Sequence, residues 1–159
     1  LTDPSRTFLL DTSVVIALLR GNEFGRHLES TYALSRQGFV LISPVTLGEA
    51  HSLAVRWQWT AERVAQLEKQ LASFVILDLR QPTIVRAYVD IREKLRLRAG
   101  GSQENRGEND LWIAACAVAA GVPVLTADKD FLVFEHPGLQ VEFVDPAPFK
   151  ARLRDGAPE

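Results

Sequence analysis

The chain has 159 residues, 47% hydrophobic and 24% charged, with a formal net charge of -2: enough for one domain with a full core, and without the basic excess usual for a nucleic-acid-binding domain. Its single cysteine excludes an intramolecular disulfide and a Cys-rich zinc site, so a reducing cytoplasm is the expected setting. No apolar run approaches the ~20 residues of a membrane span, and no charged segment followed by an apolar stretch opens the chain, so a soluble, unexported protein with no membrane partner is expected.

Thr7-Phe8-Leu9-Leu10 reads as a short buried strand that ends at Asp11. Thr12 and Ser13 offer capping hydroxyls, and Val14 to Leu19 continue as a helix that stops near Gly21. A polar-faced helix is expected from Glu23 to Ser35, with Gly38 as its stop. Phe39 to Ile42 form a second strand. Ser43-Pro44 is a strong helix start, because serine caps and proline suits the first helical position. That helix carries Glu49 near its second turn and runs to Trp57 or Trp59. A further helix spans Ala61 to Ser73, with Val64, Leu67 and Leu71 as its inward stripe.

Phe74 to Leu77 make a third strand. Pro82 opens a helix whose buried stripe is expected at Ile84, Val85, Tyr88, Ile91 and Leu95. Ala99 to Gly107 are too rich in glycine and polar groups to continue it and form a loop. From Glu108 a helix follows that is apolar on nearly every side, which requires burial. A strand at Val122 to Thr126, a short turn or helix near Asp128 to Phe134 and a last strand at Val141 to Val144 close the pattern. Pro146 and Pro148 mark a surface end. Alternation of strands and helices predicts a three-layer α/β/α fold around a mostly parallel sheet of four to five strands. The expected organisation is a single domain over residues 1–150 with a polar tail at 151–159.

Asp11, Glu49, Asp110 and Asp128 share one positional property, with Asp130 close behind the last. Each lies at the carboxyl end of a strand or on the first turns of the next helix. A parallel sheet points all those strand ends to one edge, so the fold would gather the carboxylates into one cleft. Two carboxylates ~5 Å apart repel by roughly 3 kcal/mol at an effective dielectric of ~20. A cluster therefore needs protonation or a cation. Oxygen donors alone suit Mg2+ or Mn2+ rather than zinc, and such a site supports hydrolysis of phosphodiesters. Taken singly, each residue has an ordinary reading: Asp11 as a turn or cap, Glu49 as a solvated helix residue, Asp110 as a partner for the helix dipole, Asp128 as a turn. Their joint placement is what points to chemistry.

Four stretches carry a resemblance. Leu10-Asp11-Thr12-Ser13-Val14, Thr46-Leu47-Gly48-Glu49, Asn109-Asp110-Leu111-Trp112-Ile113-Ala114-Ala115 and Leu125-Thr126-Ala127-Asp128-Lys129-Asp130-Phe131 resemble the four motifs of the PIN-domain ribonucleases. The pattern is most similar to the VapC-type toxins of toxin–antitoxin pairs, and it spans almost the whole chain in motif order. The resemblance implies a Mg2+- or Mn2+-dependent endoribonuclease, usually a homodimer, held inactive by an antitoxin. It implies Asp11, Glu49, Asp110 and Asp128 as catalytic metal ligands, the last position open to sharing with Asp130. Thr12 and Thr126 are implied as hydrogen-bonding partners of a ligand carboxylate or water. The long glycine-rich loop before Asp110 is a mild departure.

The strip from Arg86 to Arg106 reads either as a solvated helix face with pairs such as Asp90–Lys94 or as a path for RNA phosphates, with Arg96, Arg98 and Arg106 as the candidates. Trp57 and Trp59, two apart on a helix, would not share a face: one is expected in the core and the other exposed at a partner groove, with packing rather than base stacking as their role. His27, His51 and His136 have no ligand-like spacing. Cys116 reads as a small buried hydrophobe. Two other readings are a free-standing nuclease of RNA processing without an antitoxin, and a binding module whose acidic cleft is catalytically silent. Aspartyl-phosphate transfer is disfavoured, because no second Asp follows Asp11 two residues on.

Overall fold

The computed structural model describes residues 6–37, 39–100 and 107–151. Gly38, most of the loop before Gly107 (Arg106 included) and the tail from 152 lie outside the described residues. Five short strands form the sheet: β1 Leu9–Leu10, β2 Leu41–Ile42, β3 Val75–Ile76, β4 Val124–Thr126 and β5 Val141–Phe143. Their order is β3-β2-β1-β4-β5, and all four pairings are parallel. Connecting them are α1 Thr12–Arg20, α2 Glu23–Tyr32, α3 Pro44–Arg56, α4 Ala61–Leu71, α5 Pro82–Arg98 and α6 Glu108–Ala120, with a short α7 at Ala147–Ala151.

The continuous apolar runs of the inner strands have a direct explanation. Side chains alternate across a strand, and here both faces are covered. Leu10, Ile42 and Leu125 point into a core shared with α1, α2, α3 and α4. Their neighbours Leu9, Leu41 and Val124 point into a second core, against α5 and α6. At roughly 1.5–3 kcal/mol for each fully buried large side chain, two such cores drive the three-layer architecture. Helix α6 is buried at Leu111 and from Ile113 to Ala117, as its all-round apolarity requires. Among the described residues no helix is long and apolar enough to cross a membrane.

The structure departs from the sequence reading in four places. The helix from Glu23 stops at Tyr32, where Ala33 turns left-handed at a φ of 51°. A 3-10 turn at Leu34–Arg36 follows and buries Leu34. Val85 is 43% exposed, because the buried stripe of α5 runs through Ile84, Ala87 and Ile91. The tryptophans do meet, with ring centroids 6.0 Å apart: α3 ends at Arg56, and Gln58 at a φ of 50° reverses the chain between them. The segment after Pro146 forms α7 and packs Phe149 5.3 Å from Phe24. Strand β3 is the exposed edge, with Val75 and Ile76 each 46% accessible.

Candidate active site

Strand β1 delivers Asp11 to the carboxyl edge of the sheet at its centre, and the neighbouring β4 delivers Thr126 and Asp128 to the same edge. Asp11 is 4% exposed and serves as the N-cap of α1. Its Oδ1 accepts the Thr12 amide at 2.6 Å, and its Oδ2 accepts the Ser13 amide at 3.3 Å and the Ser13 hydroxyl at 2.6 Å. From β4 the Thr126 hydroxyl donates to the same Oδ2 at 2.9 Å. Burial pushes the Asp11 carboxyl above its ordinary range, and these four donors pull in the opposite direction.

Two more hydrogen bonds order the β4 end, one of them tying it to α1. The Thr126 oxygen accepts the Asp128 amide at 2.9 Å, and the Ser13 oxygen accepts the Ala127 amide at 3.0 Å. Asp128 caps the turn after β4 by accepting the Asp130 amide at 2.9 Å. Both of these aspartates are exposed.

Glu49 arrives from α3, whose start is fixed by Ser43 capping the amides of Val45 and Thr46. The two oxygens of Glu49 accept different donors, Oε2 the Thr12 hydroxyl and Oε1 the Asn109 amide nitrogen at 2.8 Å. Asp110 comes from the first turn of α6 and is half-buried. Its carboxyl is pushed up to about 7, first by burial and then by the negative charges of Asp11, Asp128, Glu49 and Asp130. All five carboxylates thus act on one small region. They share a field without closing into a cage: among the described residues, no three Asp, Glu, His or Cys side chains are grouped tightly enough to enclose an ion.

The donor set is oxygen only, and burial first, then the negative charge of its neighbours, raises the Asp110 carboxyl to about 7. That chemistry fits a hard divalent cation such as Mg2+ or Mn2+. Asp11, Glu49 and Asp110, with Asp128 and Asp130 beyond them, are the residues that would hold it. Ser13 and Asn109 complete the hydrogen-bond frame and were not singled out from sequence beyond Ser13 as a cap. A Ser directly after Asp-Thr, and an Asn directly before Asp110, were the available signals.

The basic candidates lie elsewhere in the network. Arg96 pairs with Glu93 at 2.9 Å, and Arg98 reaches Glu135 at 2.8 Å and the Val133 carbonyl at 3.2 Å. Arg92, four residues before Arg96, binds Glu108. Cys116 is fully buried, and burial pushes its thiol up to about 12, which leaves it an unreactive hydrophobe. Beside the carboxylates runs a groove of about 400 Å3. It starts at Thr12, Ser13 and Ala127 and is walled by Ile16, Phe24, Leu53, Trp57 and Phe149, with Arg20 and Lys150 on its margin.

The family model of the PIN domain matches residues 8–136. Ribonuclease VapC5 of Mycobacterium tuberculosis is 29% identical over 127 residues, which is 80% of this chain and 87% of that protein. Among solved structures, VapBC-5 of Mycobacterium tuberculosis, a member of the VapBC family of toxin–antitoxin systems, aligns with a TM-score of 0.55 at 28% identity. That match covers 87% of this chain and 98% of the other. VapBC2 of Rickettsia felis, bound to a promoter DNA fragment, aligns with a TM-score of 0.68 at 20% identity, over 87% of this chain and 99% of the other, and so speaks to the fold alone.

Proposed function

The chain belongs to the PIN domain family, and from that premise we propose that it is a divalent-cation-dependent endoribonuclease, the toxin of a toxin–antitoxin pair. The observation that carries the reading is the gathering of Asp11, Glu49 and Asp110, with Asp128 and Asp130, at one sheet edge, tied together by the Thr12–Glu49, Asn109–Glu49 and Thr126–Asp11 hydrogen bonds. Mg2+ or Mn2+ is the proposed ion. When bound, it supplies the Lewis acidity that hydrolysis of a phosphodiester requires.

The protein's own part is orientation. Asp11 is immobilised by four hydrogen bonds, so its carboxylate is set before any ligand arrives. Glu49 is held from two sides by Thr12 and Asn109, and it keeps one geometry while the exposed rim adapts. Asp110, raised to about 7 by burial and then by its acidic neighbours, would serve as a ligand in its ionised form, so cation binding is expected to tighten as pH rises. RNA is the proposed substrate, in keeping with the 29% identical relative being a ribonuclease.

The antitoxin is proposed to occupy the apolar groove beside Thr12 and Ser13. A peptide segment with an apolar face and acidic ends suits walls of Phe24, Trp57 and Phe149 flanked by Arg20 and Lys150. The test is cleavage of tRNA and other structured RNAs with and without added Mg2+ or Mn2+. Asp11→Asn and Asp110→Asn are expected to abolish cleavage while circular dichroism stays native. Robust cleavage by either variant, or by the wild-type chain in chelator, would refute the reading.

A further inference from the structure

We infer that Tyr88, Arg92 and Glu108 form a positioning clamp that holds the first turn of α6 and sets the direction in which Asn109 and Asp110 face the acidic cluster. The inference rests on the cluster's being a divalent-cation site.

Among the described residues, helix α6 begins without a side-chain cap. Its N-cap is Gly107, at a φ of 75°, which has no side chain to satisfy the first amides. The apolar body of the helix is anchored from Leu111 onward, yet the residues facing the carboxylates, Asn109 and Asp110, lie ahead of that anchor. Among the described residues, α5 supplies contacts that hold the first turn.

Tyr88 and Arg92 are four apart on α5, and Glu108 and Trp112 are four apart on α6, so each pair shares one helix face. The two faces meet as a square. Tyr88 stacks on Trp112 with ring centroids 4.0 Å apart and planes 18° from parallel. The Tyr88 hydroxyl hydrogen-bonds Glu108, and Arg92 Nη1 donates to both Glu108 oxygens at 2.6 and 2.5 Å. The same guanidinium nitrogen donates to the Tyr88 hydroxyl at 2.6 Å, and the group lies 5.7 Å from the Tyr88 ring centre.

The square has two consequences for the site. It fixes the rotation of the first α6 turn, and the next residue, Asn109, then reaches Glu49 at 2.8 Å. It also gives Glu108 its own cation, so the carboxylate two residues before Asp110 adds its charge to an ion pair. Arg92 is accordingly a positioning residue rather than an arm for phosphate.

The test measures Mn2+ affinity of the full chain by electron paramagnetic resonance of the free ion, with melting followed by circular dichroism. Arg92→Gln and Glu108→Gln are each expected to weaken Mn2+ binding about tenfold, the effect of losing a supporting contact behind a ligand. The double variant should be no weaker than either single one, since the two residues act through one contact. Arg80→Gln, which removes the exposed pair with Asp78, should bind as wild type. Melting points should shift little, because half-exposed ion pairs contribute little to global stability.

Wild-type affinity in both single variants, or losses that add in the double variant, would overturn the clamp. If Arg92→Gln does not fold, Tyr88→Phe decides: it keeps the stacking and removes the hydroxyl, so reduced Mn2+ affinity supports the clamp and unchanged affinity overturns it. Failure of the wild-type chain to bind Mn2+ would overturn the cation site and the clamp together, whereas equal binding by wild type and variants overturns the clamp alone.

Discussion

Thr126 donates its hydroxyl hydrogen to the carboxylate of Asp11 at 2.9 Å, joining two residues 115 positions apart in sequence at the ends of adjacent strands. The same oxygen accepts the Asp128 amide, and the residue is fully buried. Thr126→Val keeps the shape and removes both roles, leaving a buried Asp11 oxygen short of a donor. We expect a loss of about 1–3 kcal/mol in urea unfolding and weaker Mn2+ binding, while Thr126→Ser keeps most of both. Equal stability of the valine variant would show the bond to be dispensable.

Asp110 gives the metal-free protein a specific pH dependence. Its carboxyl is raised from 3.8 to about 7 in the folded state. Between those values the folded chain holds a proton that the unfolded chain has released. Stability from this group is therefore full below about pH 4 and declines as pH rises to about 7. Thermal melts in chelator from pH 5 to pH 8 should fall along that course, and Mn2+ should flatten the curve by compensating the charge.

Asp110→Asn should remove the same penalty without metal. After discounting for solvent around a half-buried group, the gain is on the order of 1–2 kcal/mol at pH 8, or roughly 3–6 °C in melting temperature. The variant is thus expected to be more stable in chelator and inactive. A lower melting point at pH 8 would contradict the cost of burying an ionised Asp110 among its acidic neighbours.

Gly107 and Gly121 both sit at positive φ, at the two ends of α6, but only one borders the carboxylates. A β-carbon at Gly107 would lie 3.3 Å from Asp110 Oδ2 and 3.5 Å from Phe134 Cζ, whereas one at Gly121 meets open space. Alanine at either position costs about 1–2 kcal/mol in backbone strain. Only Gly107→Ala should also weaken Mn2+ binding. Isothermal titration of both variants separates strain from crowding, and equal affinities would remove the steric argument.

Gly25 lies inside α2, where alanine is ordinarily the better helix former by about 1 kcal/mol. Here its added β-carbon would stand 2.1 Å from the Ala17 carbonyl oxygen on α1, a contact with backbone that no side-chain rotation relieves. Gly25→Ala should therefore destabilise by about 3 kcal/mol. A denaturant midpoint at or above that of wild type would rule out the close approach of α1 and α2.

The strand ends and helix starts were legible because they rest on local rules. Asp11 before Thr-Ser, Ser43-Pro44 before a helix, and an apolar run before each carboxylate place the acidic residues on one edge once the sheet is parallel. Contacts that depend on two distant elements were not legible. Nothing local says that Asn109 meets Glu49, or that Arg92 turns to Glu108 instead of solvent. The clash with helical periodicity at Trp57 and Trp59 has the same origin: the helix ends one residue before the first of them. Val85 carries the apolarity of a core residue but falls 100° off the stripe that the packing selected.

The strand order β3-β2-β1-β4-β5 also bears on when the site comes into being. Asp11 lies near the start of the chain, yet its partners Thr126 and Asp128 lie beyond residue 120, on a strand that pairs in parallel with β1. Parallel pairing across so long an interval is a slow step, since loop closure must precede any gain from the contact. A chain still being synthesised folds from its N-terminal end, and until β4 emerges it has neither the Thr126 donor nor the second side of the acidic cluster. The topology thus withholds the complete cluster from an unfinished chain, and a partner that is already present meets the finished site at its first appearance.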